Sequence, residues 1–301
     1  MSTSLLAGIV SLAALQGLLI VLPRRNALGW LRPLRSPAWA AVPALALLVG
    51  TFAPLEIPGA ASALILLAIV GAPILLAVAV LFVVRGPRVP VAIATAALAA
   101  TALTTAGMAG QLSATALTAL ACLTVGVALA RLTPRAWLLG GVLVMCVADV
   151  VLLGAGVGAT ASAALDAATH HFHGPVLDHA TIGSVAIGYP DLVLAGMLGG
   201  SLSPERSLQR RTGLLLVTLV GAYGMLLPVA RILPATVPIA LAFVLARVRR
   251  RSQTEVPSSA RWRARVASSR NDAAKLLRAS SRSAPSSRRS ASATPARFSP
   301  T

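Results

Sequence analysis

Two aspartates stand where charged side chains are costly. Asp149 and Asp191 are the only two of the chain's eight acidic residues that fall inside strongly apolar stretches. A carboxylate at the centre of a membrane helix costs roughly 3 kcal/mol, so two of them indicate a role beyond packing. Two carboxyl groups a few ångström apart cannot both ionise, so one keeps a proton while the other acts as a base. Such a pair can activate water for peptide hydrolysis without a metal or cofactor.

The composition predicts a membrane protein built from helices. Hydrophobic residues make up 56% of the chain and charged residues 11%, which excludes an ordinary soluble domain. Apolar runs close to the length of about 20 residues that crosses a bilayer recur along the chain. Cys122 and Cys146 both lie in such runs, which argues against a disulfide framework. The nine predicted spans are 4–22, 38–57, 61–84, 89–108, 113–130, 136–158, 183–202, 212–230 and 234–248.

Basic residues predict the orientation of these spans. The segments after spans one, three, five, seven and nine are rich in arginine, whereas those after two, four and six contain no Lys or Arg. Only Arg231 follows span eight. Because cytoplasmic loops carry the Lys and Arg excess, we expect an outside N-terminus and a cytoplasmic C-terminus. The first span lacks a preceding basic region, so it is interpreted as a retained helix rather than a cleaved signal peptide.

The composition changes at about residue 249. The segment 249–301 is rich in Arg and Ser and poor in residues that could form a core, which predicts a disordered cytoplasmic tail. An amphipathic stretch around Trp262 suits anionic lipid headgroups, and a solvated run of charge is an equal alternative. Nucleic acid is the least favoured partner, because the tail contains no recognisable binding module.

The two aspartates are predicted to lie at the same depth. With span six ending at about 158 and span seven starting at about 183, Asp149 and Asp191 lie nine and eight residues from one face, roughly 13 Å at helical rise. Antiparallel neighbouring helices would therefore bring the two carboxyl groups together.

Three motifs in order resemble those of a known family. Asp149, the stretch Gly188-Tyr189-Pro190-Asp191 and Pro234-Ala235-Thr236 resemble the signatures of the presenilin and signal peptide peptidase family of intramembrane aspartyl proteases. The resemblance covers about residues 1–248 and implies a nine-helix, presenilin-like transmembrane domain. Its catalytic helices would be about 136–158 and 183–202, and its PAL-like motif 234–236. Asp149 and Asp191 would be the catalytic pair, and the other residues of the two later motifs would shape the site or bind substrate.

The family resemblance, together with the predicted orientation, implies a substrate class, and the composition suggests a location. The expected substrates are transmembrane segments or signal peptides whose N-terminus is cytoplasmic. The high Arg and Ala content favours a bacterial cell membrane.

Departures from the motifs leave alternatives open. Ala148 stands where the family has an aromatic residue, Pro190 where it has a second Gly, and Thr236 where it has Leu. An inactive pseudoprotease is therefore one alternative. A type IV prepilin peptidase is another, although the residues after Asp149 fit it poorly. A proton-coupled transporter is a third, because buried acids serve transport as well.

The four histidines fall between the two Asp-bearing spans. They are His170, His171, His173 and His179. A transition-metal site or a pH sensor is conceivable for them. Their spacing matches no defined zinc pattern, so we interpret the segment as a polar loop over the site entrance, without a metal.

Overall fold

The computed structural model describes residues 3–84, 89–105, 107–172, 179–182, 185–226 and 236–254. These residues are mostly helical, as the composition predicts. The helices are α1 (Thr3–Val21), α2 (Val42–Glu56), α3 (Ala60–Val78, extended by the π-helical turns Ala79–Val84), α4 (Val89–Thr104), α5 (Gly107–Leu132), α6 (Arg135–Gly154), α7 (Val157–Phe172), α8 (Tyr189–Leu202), α9 (Arg206–Gly224) and α10 (Thr236–Thr254). Two 3₁₀ segments, Gly29–Leu34 and Pro37–Ala40, join α1 to α2.

The chain divides into two units. The first is Met1–Val248 and the second Arg249–Thr301. Of the second unit the structure describes only residues 249–254, which end α10, so the predicted disordered tail lies largely outside the described residues.

Three helices among the described residues are long and apolar enough to cross a membrane. They are Ala60–Val84, Gly107–Leu132 and Arg135–Gly154. Shorter apolar helices cover Leu6–Val21, Val42–Glu56, Ala92–Thr104 and Thr236–Val248. Large apolar side chains on α3 and α6, among them Leu67, Ile74 and Val147, are exposed. Exposed apolar surface of this extent is typical of a protein that associates with a membrane.

Helix α5 forms the centre of the helical unit. In the most apolar stretch of each helix, the buried share is 67% for α5, 17% for α3 and 28% for α6. The main partner of α5 is α8, and glycines allow the two backbones to approach closely. A methyl group at Gly196 would lie 3.1 Å from Cα of Leu123, and one at Gly126 would collide with the carbonyl oxygen of Val193. The position of α8, and of Asp191 at its start, therefore depends on this contact.

The structure corrects the end of the sixth predicted span. Helix α6 ends at Gly154 rather than 158, and Gly156 adopts a positive φ of 72°, a conformation that glycine reaches without strain. A further helix, α7, then covers residues that we interpreted as a polar loop. Its sequence is rich in Ala, which favours helix, and Ala161 and Thr169 are buried on the face that packs against α2 and α3.

The structure also corrects the start of the seventh predicted span. Residues Val185–Gly188 form a strand that pairs antiparallel with His179–Ile182, with His179 opposite Gly188, so the protein is not entirely α-helical. Helix α8 begins at Tyr189, and Pro190 lies in its first turn. Proline is tolerated in a first helical turn but disfavours helix in the residue before it, and Val and Ile favour strands. Asp191 therefore lies in the first turn of its helix, not in the second or third.

The contact between α5 and α8 predicts a difference between two glycine substitutions. Gly126→Ala should lower the free energy of unfolding by about 1–3 kcal/mol, because the added methyl group meets backbone that cannot move aside. Gly71→Ala in α3 is the matched control, since an added methyl group there meets nothing within 4 Å. Thermal unfolding of both purified variants in a mild detergent checks this. Equal unfolding temperatures would show that the contact is looser than described.

Candidate functional site

Asp149 lies on α6 and is half-buried. Its Oδ2 accepts a hydrogen bond of 2.8 Å from the hydroxyl of Thr236, the first residue of α10. The same hydroxyl lies 3.7 Å from Sγ of Cys146, one turn earlier on α6. Thr236 is itself almost completely buried, at 1% exposure. The hydrogen bond therefore joins α6 to α10 and holds the carboxyl group of Asp149 in one orientation.

Asp191 has very different surroundings. It lies in the first turn of α8, is only 7% exposed, and its Oδ1 has no hydrogen-bond partner among the described residues. Burial without a partner costs about 1–3 kcal/mol, an expense that a purely structural side chain would avoid.

The two carboxyl groups interact electrostatically. The charge of Asp149 acts on Asp191 through space. In the described part of the chain, the pair combines one hydrogen-bonded, half-exposed carboxyl with one buried carboxyl whose Oδ1 accepts no hydrogen bond. Such an arrangement can hold a single shared proton and act as acid and base at once.

The remaining residues of the second motif surround the start of α8. Gly188 precedes the helix with an extended backbone, at φ −68° and ψ 155°. The hydroxyl of Tyr189 donates a hydrogen bond of 3.2 Å to the carbonyl oxygen of Ala46, which joins α8 to α2. Pro190 lines a cavity described below. Pro234 and Ala235 of the third motif lie outside the described residues, whereas Thr236 contacts Asp149 directly.

An apolar cavity of about 580 Å³ lies beside the start of α8. Side chains of α2, α3 and α5 form most of its wall, and α7 contributes Leu165 and Thr169. Helix α8 contributes Tyr189, Pro190 and Val193, the neighbours of Asp191 in its first turns. The cavity can therefore hold an apolar segment next to the aspartate-bearing turn.

Two further residues at the site were missed in the sequence. Tyr223 on α9 is half-buried, and its phenol interacts electrostatically with both Cys146 and Asp149. Cys146 could have been found from its spacing, because residues three apart share a helix face. Tyr223 carries no such local signal beyond being a polar aromatic residue in an apolar stretch.

The histidine segment is placed only in part. His170 and His171 belong to the last turn of α7 and His179 begins the first strand, so the expected loop is wrong for these three positions. His173 lies outside the described residues. Among the residues that the structure describes, no group of three or more His, Cys, Asp and Glu could hold a metal ion.

Comparison with known proteins leaves the site to be interpreted from its own geometry. No protein-family model matches the chain, and neither a curated protein nor a solved structure gives a match.

The unequal surroundings of the two aspartates predict opposite effects on stability. Asp191→Leu should raise the free energy of unfolding by about 1–3 kcal/mol, because an apolar side chain of similar shape replaces a buried carboxyl whose Oδ1 has no partner among the described residues. Asp149→Leu should lower it, because the hydroxyl of Thr236 loses its acceptor. Thermal unfolding in detergent measures both. A loss of stability in Asp191→Leu would assign Asp191 a structural role.

Proposed function

We propose that the protein is an intramembrane aspartyl protease, similar to presenilin and signal peptide peptidase. It hydrolyses peptide bonds of transmembrane segments or signal peptides through Asp149 and Asp191. The observation that supports this most directly is the pair of interacting carboxyl groups, one of them buried with an Oδ1 that has no hydrogen-bond partner among the described residues. Functional sites keep such unfavourable arrangements at the expense of stability.

The surroundings of each carboxyl group suggest its role. A hydrogen bond from Thr236 stabilises negative charge on Asp149, so Asp149 is the base. Asp191 is buried, and its Oδ1 accepts no hydrogen bond from the described residues, so Asp191 keeps the proton of the pair. Asp149 takes a proton from water, whose oxygen bonds to the scissile carbonyl carbon while Asp191 gives its proton to the carbonyl oxygen. The tetrahedral intermediate then breaks its C–N bond as Asp149 returns the proton to the leaving nitrogen and Asp191 regains its own.

One departure from the family motif supports the same roles. The family pattern has Leu where this chain has Thr236. A leucine could not donate a hydrogen bond, whereas Thr236 holds the carboxyl group of Asp149 at 2.8 Å. In this proposal Thr236 is a positioning residue, and the phenol of Tyr223 approaches the site from α9.

The apolar cavity supplies a place for the substrate. Its wall includes Pro190 and Val193, which flank Asp191 on α8. An apolar transmembrane segment in this cavity would lie beside the turn that carries Asp191. A strand next to that helix, Val185–Gly188, keeps the backbone before Asp191 extended.

We propose nine spans in a presenilin-like arrangement. They are α1 to α6, α8, α9 and α10, with α7 and the β-hairpin on the outer side. Three long apolar helices and four shorter ones among the described residues support seven of these nine spans, all except α8 and α9. The distribution of arginines supports an outside N-terminus and a cytoplasmic C-terminus in a bacterial cell membrane. Substrates would then cross the membrane with a cytoplasmic N-terminus.

Reporter cleavage tests the proposed activity. Purified protein in lipid should cut single-span reporters, preferentially those with a cytoplasmic N-terminus. Asp149→Asn and Asp191→Asn should each lower the rate at least about 100-fold, because each removes one half of the acid–base pair. Asp166→Asn on α7 is the matched control and should retain activity.

Three outcomes of this experiment would contradict different parts of the proposal. Cleavage that survives either Asn substitution would refute the pair as the catalytic groups. Preference for the opposite reporter orientation would refute the topology alone. If no reporter of either orientation is cut, the protein is not a protease of this type.

A further inference from the structure

Four arginines meet at one end of the helical unit. The segment that contains Arg32 and Arg35 is fixed to the turn between α5 and α6, which lies between Arg131 near the end of α5 and Arg135 at the start of α6. The backbone N–H of Ser36 donates to the carbonyl oxygen of Leu132 at 3.0 Å, and Nη2 of Arg35 donates to the carbonyl oxygen of Thr133 at 3.1 Å. We call Arg32, Arg35, Arg131 and Arg135 the arginine cluster.

Arg131 is the innermost member of the arginine cluster. Its side chain is buried, and the charges of Arg32, Arg35 and Arg135 act on it unfavourably. Its guanidinium donates to the carbonyl oxygens of Ala27 at 2.8 Å and Arg25 at 3.1 Å, and to the hydroxyl of Ser203 at 2.9 Å.

The charge of Arg131 is not balanced by this environment. All three acceptors are neutral, so they fix the orientation of the guanidinium without neutralising it. In the described part of the chain, no carboxylate is among the charges that act on Arg131.

Exposed apolar side chains lie beside these arginines. Trp30 and Leu34 flank Arg32 in the first 3₁₀ segment, and Trp137 follows Arg135 at the start of α6; all three are more than half exposed. The indole of Trp39 donates a hydrogen bond of 3.1 Å to the carbonyl oxygen of Leu34, which holds that segment in place. Tryptophan is enriched where a membrane meets water.

We propose that the arginine cluster binds the phosphate of an anionic phospholipid. Arg32, Arg35 and Arg135 are exposed and can reach the phosphate oxygens, for which the planar guanidinium is well shaped. Trp30, Leu34 and Trp137 contact the acyl chains of the same lipid. The phosphate offsets the repulsion among the four guanidinium groups and stabilises the connection between α5 and α6. This site is separate from the basic segment 249–301 and does not depend on the proposed proteolysis.

Lipid binding to the full chain tests the proposal. Detergent-solubilised protein is titrated with phosphatidylglycerol or phosphatidylcholine carrying brominated acyl chains, which quench tryptophan fluorescence on contact. The wild type should bind phosphatidylglycerol more tightly. The double variant Arg32→Gln/Arg35→Gln should weaken that binding by about 25-fold, because each arginine near an anionic lipid contributes about fivefold. The double variant Arg210→Gln/Arg211→Gln, with the same charge change at exposed positions of α9, should bind like the wild type.

Each of the following outcomes would overturn the proposal. Equal weakening in both double variants would show that general surface charge attracts the lipid. Equal binding of the two lipids by the wild type would show no headgroup site. Competition by millimolar inorganic phosphate that abolishes the preference would identify free phosphate as the ligand. If the double variant folds poorly, the single variant Arg32→Gln, at an exposed side chain, replaces it in the experiment. This single variant should bind phosphatidylglycerol about fivefold more weakly, and unchanged binding would refute the proposal.

Discussion

The close contact between α5 and α8 determines where the candidate site can be. Gly126 on α5 and Gly196 on α8 lie against the backbone of the other helix, so neither position has room for a side chain. Gly199 on α8 faces α1 in the same way, against Ile20. Helix α8 is therefore held between two helices along its length. These contacts also place its first turn, where Asp191 is buried and its Oδ1 has no hydrogen-bond partner among the described residues.

Asp149 depends on a different and weaker set of contacts. Helix α6 is exposed over much of its surface, and the hydrogen bond from Thr236 is what orients the carboxyl group of Asp149. The two members of the pair are thus positioned independently, one by helix packing and one by a single hydrogen bond. This asymmetry gives the two carboxyl groups unequal abilities to carry charge, which an acid–base pair requires.

The sequence predicted the helical class, which follows from composition, and it singled out the two aspartates because charge is costly in apolar segments. It did not predict the geometry around them. Equal depth was inferred from spans that ended at 158 and began at 183, whereas Gly156 and Pro190 end and begin the helices differently. Asp149 and Asp191 nevertheless interact electrostatically, although Asp191 lies in a first helical turn.

Features that depend on distant parts of the chain were not predictable from local patterns. The helix over Val157–Phe172 is rich in Ala, which favours helix, but its histidines and other polar residues suggested a loop, and packing on α2 and α3 stabilises the helix. Tyr223 reaches Asp149 only because of how α9 packs, and no spacing rule links the two residues. The arginines indicated an orientation in the membrane, but their convergence on Arg131 depends on the 3₁₀ segment that follows α1.

Binding of a transition-state analogue tests the central claim most directly. A photoreactive peptide in which a hydroxyethylene group replaces the scissile bond mimics the tetrahedral intermediate and needs both carboxyl groups of an aspartyl protease. The wild-type protein in lipid should bind it in a one-to-one ratio, with Asp149→Asn and Asp191→Asn each abolishing the labelling and Asp166→Asn retaining it. Labelling that persists in either of the first two variants, or that is absent from the wild type, would contradict the assignment of Asp149 and Asp191 as a catalytic pair.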